Sequence, residues 1–262
     1  MVTTVAARTV SEAVWAALGT VRDPELDEPL TDLGFVARCA VTGGDAGATD
    51  ATDAAGAEVA VQLRLPTYFC APNFAFLMVA DAHDAVSAVP GVGRVVIELI
   101  DHFAADSINQ GVAARAGFVG TFGDEAADEL DDLRADFLRK AVLAGTDRVC
   151  RAVLAAGADP ATLGRLTLGD APASADRERL RDRRRELGLP STDDAPLVLD
   201  PATGNGVEDP AVRRHLGLAR LTRVSQEANS GVCRGMLLAR YPGTQAIGQV
   251  GHTGESGEEQ RP

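Results

Sequence analysis

A run of alternating apolar residues, Val59, Val61, Leu63 and Leu65, closed by Pro66, constrains the fold of this chain most tightly. Side chains two apart share one face only in a strand, so residues 58–65 predict a half-buried β-strand. Pro72 then opens a stretch in which Phe74, Leu77, Met78 and Val89 are available for one packed helix face, until Pro90-Gly91 stops it. The Val- and Ile-rich run 92–100 predicts another strand, and Gly34 to Val41 one before. At the start, Thr9-Val10-Ser11-Glu12 is a capping-box pattern, with Val10, Val14 and Leu18 at helical spacing, so a helix over 10–18 ends near Gly19. The order α-β-β-α-β predicts an α+β sandwich with a three-stranded sheet covered by helices on one face.

Beyond this unit the character changes. A further helix is expected over 106–116, and Gly117, Gly120 and Gly123 mark a candidate linker. From Asp124 the pattern is helical: Leu130, Leu133, Phe137 and Leu138, then Val149, Val153 and Leu154, closed by Gly157. Asp159-Pro160 and Asp209-Pro210 are restart signals, and a helix is expected over 175–187. The expected organisation is an α+β domain at 8–117, a mainly helical domain at 124–242 and a disordered tail at 243–262. The Gly-, Ala- and Asp-rich segment 43–56 reads as an enlarged, mobile hairpin loop without chemistry.

Composition excludes several function classes. The formal net charge of -13 argues against a nucleic-acid binder, which needs clustered Lys and Arg. The arginine run 177–185 is interleaved with Asp176, Glu178, Asp182 and Glu186, and reads as a solvated helix face laced with ion pairs. No apolar run approaches the roughly 20 residues of a membrane span. The start lacks a basic region followed by an apolar core, so a cytoplasmic protein is expected. The four cysteines, Cys39, Cys70, Cys150 and Cys233, form no C-x-x-C pair, and a zinc ribbon or disulfide framework is not expected. Cys39 and Cys150 read as core; Cys70 and Cys233 remain for chemistry. No P-loop or dinucleotide fingerprint is present.

Two short segments carry the chemistry. The first, from Asp23-Pro24-Glu25 through Asp27 and Glu28 to Asp32-Leu33-Gly34-Phe35-Val36, is an acidic, proline-bracketed turn entering a strand. The second, Thr67-Tyr68-Phe69-Cys70-Ala71-Pro72, places Cys70 just before a helix start, where unpaired N–H groups stabilise a thiolate. Such a thiol suits metal ligation, persulfide chemistry or nucleophilic attack, although a small buried hydrophobe is the ordinary role of a free cysteine. For Asp27 and Glu28 a solvated turn is the expected role. Together the segments resemble the family of small iron–sulfur assembly factors that includes SufT and the PaaD proteins. Its motifs are a DPE turn, a D-L-G-[LFI]-[VI] strand entry and a T-x-x-x-C-P element. The resemblance covers roughly residues 8–105 and implies the same α+β fold. It also implies a metal site drawn from Cys70, Asp23 and Glu25, with Thr67 and Asp32 as further motif members. The expected cargo is transient iron or an iron–sulfur cluster, and the expected partners are a client apo-metalloprotein and other cluster-assembly proteins. No membrane partner is expected, and homodimerisation stays open.

In the second half, the segment 225–235 gathers Glu227, Asn229, Cys233 and Arg234, which makes Cys233 and Arg234 candidates. Against this, Cys233 stands at helical spacing with Met236 and Leu237, as on a buried face. A long form of the family with a helical C-terminal extension ending in a Cys-Arg-Gly element is associated with bacterial diiron monooxygenase systems. The leading expectation is therefore a non-enzymatic maturation factor working through Cys70. The alternative is a metal-free adaptor for such a monooxygenase. A cysteine hydrolase, the third reading, needs a base beside Cys70; only His102 is placed to supply one, since His83 lies about three turns along its helix and His252 falls in the expected tail.

Overall fold

The computed structural model describes residues 9–43, 56–126 and 128–243. The expected hairpin loop, between its ends Gly43 and Gly56, and the expected tail from residue 244, with His252, lie outside the described residues. Helix α1 (Val10–Leu18) starts at Thr9, whose hydroxyl accepts the Glu12 N–H while the Glu12 carboxylate accepts that of Thr9. The acidic turn follows as two short antiparallel strands, β1 (Arg22–Asp23) and β2 (Glu28–Pro29), and one helical turn, α2 (Leu30–Leu33). Gly34 closes α2 in the left-handed region at φ 75°, where a side chain would be strained.

Strands β3 (Val36–Thr42) and β4 (Ala57–Leu63) pair antiparallel. Helix α3 (Pro72–Ser87) then carries the chain back so that β5 (Val92–Leu99) lies parallel to β4, giving the order β3-β4-β5. Val59, Val61 and Leu63 of β4 point into the core, as the alternation requires, and join Val79, Ala82 and Val86 of α3 with Val14 and Leu18 of α1. The strand ends at Leu63, two residues before Leu65, although the Arg64 N–H still bonds the Phe35 carbonyl; Leu65 itself stays buried. The opposite face of the sheet, with Arg38, Glu58, Gln62, Arg94 and Glu98, is open and shallow.

The rest of the described chain is mainly helical: α4 (Ala105–Ala113), α5 (Gly117–Phe122), α6 (Asp131–Ala155), α7 (Ala175–Glu186) and α8 (Val212–Arg240), with 3-10 turns between. The glycine-marked segment expected as a linker is instead helix α5. The Glu129 carboxylate caps it by accepting the N–H groups of Phe118 and Val119, and Phe118 and Phe122 pack on the first core. A second core forms from α6, α7 and the segment around Leu197-Val198-Leu199, which makes only isolated β-bridges.

Two expectations about charge are corrected. Within the arginine run, Arg183 and Arg184 are fully buried rather than solvated. Arg184 donates to the carbonyls of Pro196 (2.8 Å) and Leu197 (2.7 Å), and Arg183 is paired with Asp27 and Glu186. Asp27, expected in a solvated turn, is buried against that guanidinium, and Glu28 is paired with Arg234. The carboxylates of the turn meet arginines of distant helices, which the local spacing of charges does not encode. Helix α8 joins both halves: it packs along α6, and its Leu237 enters the first core. Met236, expected on the buried face, points outward at 44% exposure.

Candidate functional site around Cys70

Pro72 is the first residue of α3 and Ala71 its N-cap, so Cys70 sits one residue outside the helix, half-buried at its mouth. The Thr67 hydroxyl lies 3.3 Å from the Cys70 sulfur, where either group can donate, and accepts the Phe69 N–H at 3.2 Å. Thr67 stands three residues before Cys70 and Pro72 two after, each one position away from the T-x-x-x-C-P spacing. Cys39 is half-buried on β3 against the first core, and Cys150 is buried, its thiol pushed up to about 12 by burial and then Asp147.

His102 does reach Cys70, but through the backbone. Its Nε2 is 2.7 Å from the Cys70 carbonyl, and its Nδ1 accepts the Ala104 N–H at 3.2 Å. The accepting Nδ1 carries no proton, so Nε2 holds it and donates. Both ring nitrogens are occupied, and burial lowers the pKa of the imidazole from its ordinary value. In this arrangement the ring has no free nitrogen to serve as base to the thiol. It holds the Cys70 carbonyl in place.

Three aromatic rings flank the cysteine. Tyr68, Phe69 and Phe103 are 47%, 76% and 49% exposed and stack loosely, with centroids 5.1–6.4 Å apart. Phe69, although next to Cys70 in sequence, faces solvent rather than covering it. These rings were not among the sequence candidates, and His102 was one only as a base for the hydrolase reading. The adjacent Tyr68-Phe69 pair beside Cys70 was the available signal, since neighbouring aromatics in a polar loop are unusual unless they contact something.

The acidic turn is held from within and from α8. One Asp23 oxygen accepts the N–H groups of Glu25 and Leu26, both at 2.9 Å. Burial nevertheless pushes the Asp23 carboxyl up to about 6, aided by the charges of Glu25 and Glu28. Gln226 and Asn229 of α8 donate to the carbonyl and the carboxylate of Glu25, both at 3.2 Å. One turn on, Arg234 bonds the Asp32 carbonyl and the Glu28 carboxylate. Between these ties lies Cys233. Its thiol is pushed up to about 11, by burial first and then by Asp23, Cys70 and Glu25. The structure thus brings four sequence candidates into one electrostatic neighbourhood. Arg234 and Asp32 form a structural tie beside it, with the Asp32 carboxylate exposed. Among the described residues, no three Cys, His, Asp or Glu side chains converge closely enough to enclose a metal ion. No described helix is long and apolar enough to cross a membrane.

Residues 11–97 match the family model described as iron-sulfur cluster assembly protein. That segment contains the acidic turn, the sheet up to β5 and Cys70; Cys233 and the helical half lie beyond it. No curated protein and no solved structure gives a significant match.

Proposed function

We propose that this protein is an iron–sulfur cluster assembly factor, with iron or a cluster as cargo and the Cys70 thiol as the point of transfer to a client apoprotein. The family match over residues 11–97 supports cluster assembly in general. The single observation that carries the finer reading is Cys70 itself. It stands half-buried at the mouth of α3, hydrogen-bonded with Thr67 and rimmed by three exposed rings. A thiolate is a soft ligand for iron–sulfur species, while the nearby Asp23 and Glu25 offer hard oxygens for iron, and Cys233 offers a second sulfur. The rings supply apolar contact area at the point where a client would have to come close. In this reading the protein turns over no small substrate, belongs to the SufT/PaaD type, works in the cytoplasm, and serves a diiron monooxygenase as client.

A metal-free adaptor for the same client is the second reading. What favours it is that, among the described residues, no three of the candidate ligands gather around one point. Anaerobic purification followed by iron and acid-labile sulfide analysis separates the two, repeated on Cys70→Ser and paired with an assay of client maturation. Bound iron that Cys70→Ser loses together with maturation supports transfer through the thiol. Metal-free protein whose Cys70→Ser form matures the client fully makes it an adaptor.

A further inference from the structure

Six of the eleven large apolar side chains that the described part of the chain exposes lie on one helix, α8, with Leu221 at 66% and Val232 at 59%. Leu221, Val224, Ala228, Gly231, Gly235 and Leu238 follow one another at intervals of three and four, and all are exposed. This is the spacing of a seam that packs against a second helix. It lies opposite the face through which Ala219, Gln226 and Leu237 hold α8 to the body. Around Gly231 and Gly235 an added Cβ would meet nothing within 4 Å, so no contact among the described residues accounts for these two glycines. A glycine inside an exposed helix costs about 1 kcal/mol against alanine. Its use is to let another backbone come close.

The charges along the seam indicate which helix fits. Arg213, Arg214 and Arg220 are exposed and have no ion-pair partner among the described residues, in a chain whose net charge is -13. Arg213 and Arg220, a heptad apart, edge the stripe, and Arg214 lies at its N-terminal end. We propose that the outer face of α8 docks an amphipathic helix of another protein, one whose apolar stripe is edged by carboxylates. A second copy of this chain fits less well. A 29-residue helix offers a strip of roughly 43 by 10 Å. Self-pairing through it buries about 800 Å² in all, under the roughly 1,200 Å² of stable interfaces. A parallel pair would also gather the exposed arginines of both copies at one end.

The test uses the full chain and two labelled helical peptides about 20 residues long, long enough to form helix alone. Both carry the same Leu seam, edged by Glu in one and by Lys in the other. Fluorescence anisotropy should show the Glu-edged peptide binding, more weakly as salt rises. The Lys-edged peptide should bind at least about tenfold more weakly. Arg213→Glu with Arg220→Glu should reduce binding of the Glu-edged peptide by a similar factor. Gly231→Leu should raise the melting temperature, because leucine is the better helix former, and yet abolish binding by filling the approach. Equal binding of both peptides, or of neither, overturns the proposal. So does a dimer in sedimentation velocity that Val224→Asp dissolves, or co-flotation with vesicles of phosphatidylglycerol and phosphatidylcholine that peptides do not compete.

Discussion

His102 has both nitrogens on the backbone, one donating to the Cys70 carbonyl and one accepting from Ala104, and protonation would set an Nδ1–H against the Ala104 N–H. Its folded pKa lies below the ordinary 6.5, so the unfolded chain takes up the proton first on acidification. Its share of stability is present above about 6.5 and is lost as pH falls toward the depressed value. His102→Ala should therefore be destabilised by about 1–3 kcal/mol near pH 7.5 in urea titrations, with the gap to wild type narrowing toward pH 5. An unchanging gap would mean that the ring acts by packing alone. Cys233 offers a second check on the geometry around Cys70. A thiol pushed from 9.0 to about 11 holds far less thiolate at pH 8. In a chain lacking the other cysteines it should alkylate on the order of 100-fold more slowly than a model thiol. Asp23→Asn keeps an oxygen for the Glu25 and Leu26 N–H groups and removes a charge, so the rate should rise. A Cys233 that reacts like a free thiol would contradict its placement beside the acidic turn.

At the scale of elements, the acidic turn is held in place by helices far along the chain. Arg183 of α7 reaches Asp27 in the interior, while Glu186 takes the other side of the guanidinium. Removing one partner of a buried pair strands the other, at roughly 3–5 kcal/mol, whereas replacing both can be nearly neutral. Arg183→Met alone should therefore destabilise strongly. Adding Asp27→Asn should recover much of the loss, since Asn tolerates the left-handed backbone at Asp27, φ 54°. Urea unfolding of the two single variants and the double closes the cycle. If the double variant is as unstable as the sum of the singles, the two residues do not act as a pair. The same ties bear on the proposed function, because the turn they position carries Asp23 and Glu25 toward Cys233.

For the whole molecule, α8 is where the halves meet. Leu237 enters the first core, Arg240 donates to the Leu65 carbonyl at 3.1 Å, and the Tyr241 hydroxyl donates to Asp101 at 2.9 Å. A fragment of residues 2–117 keeps the sheet and both of its covering helices, and we expect it to fold. It loses the Leu237 side chain, whose burial is worth about 1.5–3 kcal/mol, and should melt below the full chain; equal melting temperatures would mean that α8 adds nothing to the first core. The local elements of that unit were legible in the sequence. Alternation at Val59, Val61 and Leu63, the Thr9–Glu12 box and Pro72 each act over a few residues, so each announces itself without knowledge of the rest. The candidacy of Cys70 rested on equally local helix-start chemistry, whereas that of Asp23 and Glu25 rested on the family resemblance. The glycines at 117 and 123 misled, since a glycine ends a helix as readily as it loosens a linker, and the segment is helical with the Glu129 carboxylate capping it and Phe118 and Phe122 packed on the first core. What the tertiary structure alone decided is which charges are buried and which thiols are neighbours. Asp27 with Arg183 and the acidic turn with Cys233 are brought together across 156 and about 200 residues of chain. Burial and Coulomb interaction depend on distance through space, and no periodicity along the sequence records it.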